Sequence, residues 1–155
     1  MDVCDTWLLA AATENQDHTT RSLVSIRAFI ADAPTARARI VRLTGLIDYL
    51  ARRCAAALPT KFDEFGSWII RDGPFTGATI DDTAPEARVA IRLMIFYVNQ
   101  DEVGARDLML GYINGLPEAE MPDRLSDVFF CLTELYLWIR RNRVHCPKRT
   151  AQRDL

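Results

Sequence analysis

Histidine is scarce in this sequence, and so are the other residues from which active centres are built. His18 and His145 are the only two. His145 stands beside Cys146, but nothing nearby supplies two further ligands at conventional spacing, so no metal or other cofactor is expected. The four cysteines, Cys4, Cys54, Cys131 and Cys146, show no close pairing. Cys54 and Cys131 fall inside apolar helical patterns, where a thiol behaves as a small hydrophobe, which points to a reducing compartment. No apolar run approaches the roughly 18–20 residues that span a bilayer, and Asp2 and Asp5 stand where a secretory signal needs basic residues. The expectation is therefore no transmembrane anchor and a cytoplasmic location. Charge of one sign is also lacking: the formal net charge is −2. With 49% apolar residues, that excludes a disordered chain and argues against a strongly polyanion-binding one.

Alternating strand patterns are missing too. What is present is a helical period, near residues 4–14, 19–32, 35–58, 61–71, 85–99, 102–115 and 122–143. At 155 residues this predicts one all-α domain, a bundle of about six to eight helices with a polar basic tail from about 145. Start signals punctuate it. Asp32 precedes Pro34, Thr83 and Glu86 have capping-box spacing around Pro85, and Pro122 opens the last long helix. Residues 71–85 read as the one long loop. After Glu86, residues 87–98 are interrupted only by Arg88 and Arg92, so this helix should be buried nearly all round. The run from Val128 to Ile139 has only Thr133 and Glu134 as polar members; either two of its sides are packed or one meets a partner. Phe130 and Leu137 are the candidate contacts of a homodimer. "APTAR" at 33–37 and "APEAR" at 84–88 share helix-start chemistry and need no internal repeat. Ala105 and Pro117 have tetratricopeptide-like spacing without the rest of that signature.

Catalytic constellations are equally thin. Asp81 and Asp82 precede a helix start, where capping and dipole interactions explain them. Gly104, Gly111 and Gly115 lie in a helical pattern with no preceding strand, which excludes a phosphate-binding loop. From Arg140 the tail carries Arg141, Arg143, Lys148, Arg149 and Arg153. It lacks interleaved aromatics, so nucleic acid is not the expected partner. The sequence points away from an enzyme and toward recognition.

Residues 43–53, "LTGLIDYLARR", then become informative. Leu43, Leu46, Ile47, Leu50 and Cys54 share one side of a helix, and Asp48 lies off it. Leu43, Leu46, Asp48 and Leu50 resemble the third homology motif of the Bcl-2 family of apoptosis regulators. Three more segments resemble the other motifs in family order: 21–30 the fourth, 101–115 the first, and "WIRRN" at 138–142 the start of the second. Departures are visible as well. Arg106 is displaced by one residue, the small residue of the third motif is Ile47, and the glycine pair after Asn142 is missing.

The resemblance implies a bundle around a buried central hairpin, of the compact viral type. It also implies a hydrophobic groove that receives an amphipathic death-motif helix from a pro-apoptotic partner. Phe62, Phe65, Ile69, Phe96 and Val103 would wall the groove, Gly104 would let the ligand approach, and Arg106 would pair with its aspartate. Isoleucine at 47 would clash in a ligand helix, so the chain reads as a receptor: a survival factor, recruited to mitochondria only through partners. The alternative is a helical adaptor or oligomeric structural protein using apolar helix faces for subunit contacts.

Overall fold

The computed structural model describes Val24 and residues 26–58, 73–75 and 80–142. Among these residues every regular element is helical, and no strand occurs. A helical segment at 26–31 precedes α1 (Ala36–Ala57), α2 (Pro85–Val98), α3 (Glu102–Asn114) and α4 (Met121–Asn142), with 3-10 turns at Ile80–Asp82 and Glu118–Glu120. The helices expected at 4–14 and 61–71 and the basic tail lie outside the described residues, as do Phe62, Phe65 and Ile69. None of the described helices is long and apolar enough to cross a membrane.

α1 forms where its period places it. Leu43, Leu46, Ile47, Leu50 and Cys54 are buried on one side, joined by Ala51. Each fully buried leucine removes enough apolar surface from water to contribute about 1.5–3 kcal/mol. The start is set by Thr35, whose Oγ1 accepts from the Ala38 N–H at 3.1 Å, and not by Asp32. The buried thiol of Cys54 donates to the Leu132 carbonyl at 3.4 Å, tying α1 to α4.

α2 is the centre of the bundle. From Glu86 to Val98 no residue is exposed, because α1, α3 and α4 all pack on it. The capping box expected from Thr83 and Glu86 does not form. Ala84 is the N-cap and makes no side-chain cap bond, while the Glu86 carboxylate accepts from Arg124 at 2.7 Å and Tyr112 at 3.3 Å. A carboxylate this deep needs a cation more than the helix end needs a second cap.

α3, which follows α2 across a tight turn, is far less buried than α2. In α3 just Ala105 and Met109 are buried. Arg106, Asp107 and Asn114 interrupt its outer side with groups that stay solvated, so this helix lies on the surface. α4 packs on both α1 and α2, and most of the run from Val128 to Ile139 is consumed there. Phe130 remains 43% exposed, and Leu137 is half-buried.

The turn between α2 and α3 is a Schellman motif. The Asp101 N–H donates to the Phe96 carbonyl at 2.8 Å and the Gln100 N–H to the Tyr97 carbonyl at 3.1 Å. This places Gln100 at φ 59°, the left-handed region where glycine is usual. Replacing Gln100 with Gly should relieve the side-chain penalty and raise stability by up to about 1 kcal/mol, whereas Val should lower it. Thermal melts of the two variants should therefore move in opposite directions.

Candidate functional site

α1 and α3 both rest on α2 and leave an open groove of about 1260 Å³ between them. Ala105, Met109 and Ile113 of α3 and Ile40 and Thr44 of α1 line it, and Met121 and Pro122 at the start of α4 bound one end. Three large apolar residues at its edges stay exposed: Val41 at 62%, Val103 at 59% and Leu110 at 51%. An apolar cleft of this size, open along two helices, is suited to a third helix rather than to a buried small molecule.

Its other end is fixed by a polar cluster. Asp48 accepts hydrogen bonds from the Tyr97 hydroxyl and from Arg52 Nε, the latter at 3.1 Å. Arg52 Nη1 donates across to Glu102 at 2.8 Å, and its guanidinium lies 4.3 Å from the centre of the Tyr97 ring. The cluster thus ties α1, α2 and α3 together. Its ion pairs are about half exposed, so each contributes little to stability and chiefly sets alignment. Partial burial, reinforced by the Asp48 carboxylate, pushes the Tyr97 phenol up to about 12. Asp48, the off-stripe acid of residues 43–53, is committed within its own chain.

The residues expected in a groove separate into three groups. Val103 and Arg106 do line it. Arg106 is exposed, with only a loose 3.9 Å contact to its neighbour Asp107. Phe96 and Gly104 do not have the expected roles. A Cβ at Gly104 would lie 2.5 Å from the Phe96 ring and 2.5 Å from Asp101 Oδ2, so the space left by the glycine is filled by the chain's own phenylalanine and not offered to a ligand. Phe62, Phe65 and Ile69 fall outside the described residues. Val41, Met109, Leu110 and Ile113 were not anticipated, although Val103 and Leu110 stand seven residues apart on α3, a spacing that marks a second apolar stripe.

The two described thiols are both held in the protonated form. Burial raises the Cys54 thiol well above its ordinary value, and burial followed by the field of Glu134 raises Cys131 to about 11. At the far side of α2, burial and the adjacent Glu86 carboxylate raise the Tyr112 phenol. Comparison with models of known families, curated proteins and solved structures returns no match for this chain.

Two outcomes follow from this geometry. Ala at 104 must push the Phe96 ring aside and should cost about 1–3 kcal/mol in a denaturation curve. The folded state holds the Tyr97 proton more tightly than the unfolded chain, whose phenol titrates near ~10. The stabilisation is therefore complete below about pH 10 and is lost as pH rises through about 12. Tyr97→Phe should flatten that part of the alkaline stability profile, followed alongside phenolate absorbance.

Proposed function

We propose that the groove between α1 and α3 receives the amphipathic death-motif helix of a pro-apoptotic Bcl-2 relative, and that the protein restrains apoptosis by sequestering it. The bundle would then be a Bcl-2-like arrangement of the compact viral type. Such a protein acts in the cytoplasm, reaching mitochondria through its partners. The observation that carries this reading is the open groove itself: apolar along its floor, rimmed by Val41, Val103 and Leu110, and bordered by the exposed Arg106. From Ala36 to Arg52 its α1 wall runs about 24 Å at 1.5 Å per residue, the length of a helix of about 16 residues. An amphipathic helix laid there buries its apolar stripe and brings an aspartate to Arg106, a charge-assisted pair.

Calorimetric titration with a panel of death-motif peptides tests this. Arg106→Ala should weaken binding by roughly tenfold to a hundredfold. Leu110→Ala should also weaken it without moving the melting temperature appreciably, because that side chain is already half in water. Asp48→Ala should act on stability more than on affinity. Absence of any peptide binding tighter than about 10 micromolar removes the reading.

One observation favours the adaptor or oligomer reading. Phe130 is exposed on α4 with Leu137 half-buried one stripe position along, and Val24 and Phe29 are exposed on the preceding segment. These residues would be the contact of a homodimer. Sedimentation across micromolar concentrations should show a dimer that Phe130→Glu dissociates; a monomer throughout leaves the groove as the one interface.

A further inference from the structure

A second pocket of about 380 Å³ opens on the other side of α1, between the helical segment 26–31 and α4. Its walls are Ile26, Ile30, Leu43 and Phe129, and Phe130 stands at its edge. The charged side chains lining it are Arg27 and Arg39, and no acid is among the described lining residues.

The hydrogen-bond accounting around this pocket is uneven. The Ser126 hydroxyl already donates to the Pro122 carbonyl at 2.8 Å. Arg42, next along α1, donates to the Phe29 carbonyl and lies 4.7 Å from the centre of the Phe29 ring. The side chains of Arg27 and Arg39 make no hydrogen bond or ion pair with any described residue, and Nε of Arg39 is shut off from solvent as well. The guanidinium of Arg88, whose Nε is also buried without a partner, is otherwise held by the Asp81 and Thr83 carbonyls at 2.8 and 3.2 Å. Arg39 has no such compensation. Two guanidinium groups thus border an apolar pocket without an acceptor among the described residues, and a carboxylate is the acceptor whose geometry matches a guanidinium.

We propose that this pocket binds a small amphiphile with one carboxylate and an apolar body, of the fatty-acid class. Its carboxylate pairs with the guanidinium groups of Arg39 and Arg27, while its chain lies between Ile26, Ile30, Leu43 and Phe129. The volume falls in the range of small-ligand pockets, and apolar walls with a few convergent polar groups are their usual make-up. The site lies across α1 from the groove and does not depend on what the groove binds.

Titration of the full chain with decanoate, held below its micelle-forming concentration, against 1-decanol as the neutral counterpart tests the assignment. Decanoate should bind and shift the Nε–H resonance of Arg39, and decanol should bind about tenfold more weakly without that shift. Arg39→Gln should lose about the same factor. Arg27→Gln, at an exposed position where folding is not at stake, should lose less and make the remaining binding less sensitive to salt. Equal affinity for decanoate and decanol overturns the proposal. So does undiminished binding by Arg39→Gln, or no binding at millimolar decanoate.

Discussion

The structure depends on one requirement, that α2 be covered on every side. A helix with no exposed position from Glu86 to Val98 cannot sit at an edge, and α1, α3 and α4 supply the cover. Two consequences follow. Three round bodies packed about a fourth leave valleys where they do not meet, and the valley between α1 and α3 is the groove. Arg92, midway along α2, reaches Asp81 at 3.0 Å, and the polar groups at the two ends of α2 are held by the covering helices. There Glu86 finds Arg124 and Tyr112, and Tyr97 finds Asp48 and Arg52. A buried carboxylate is tolerated only with such partners, so the Glu86 cluster fixes how α3 and α4 meet at that end.

The helical class, the core stripe of α1 and the central position of α2 were legible in the sequence because each is a local periodicity. Leu43, Leu46, Ile47, Leu50 and Cys54 recur at the spacing of one helix side, and burial follows from that alone. What escaped was everything set by partners distant in the chain. Asp48 reads as a solvated acid until Tyr97, 49 residues on, arrives beside it. Gly104 reads as an opening for a ligand until the Phe96 ring is found in that space. α3, whose outer side carries Arg106, Asp107 and Asn114, retains one side in water. Val103 and Arg106 line the cleft together with Val41 and Leu110, which look like ordinary surface positions until two helices bring them to it.

The groove is asymmetric in its mechanical support. At the Arg52 end three helices are joined by side-chain bonds, so the separation of α1 and α3 is set there by hydrogen-bond length. At the other end the boundary is Met121 and Pro122, a van der Waals contact surface. Hydrogen bonds are directional and short-ranged, while apolar contact tolerates sliding. The spacing of the groove is therefore fixed near Arg52 and more adaptable near the start of α4.

α1 is also a partition wall. Ile40 and Thr44 face the groove, and their chain neighbours Arg39 and Leu43 face the smaller pocket. Adjacent residues on a helix differ by about 100° in direction. Inserting or deleting one residue early in α1 would turn every position on one side of the change by that angle. Arg39 would be carried out of its pocket, and Ile40 would lose its place in the groove floor. Loops of this chain can change length at little cost, but the 22 residues of α1 are a ruler read from both edges, and it has no spare graduation.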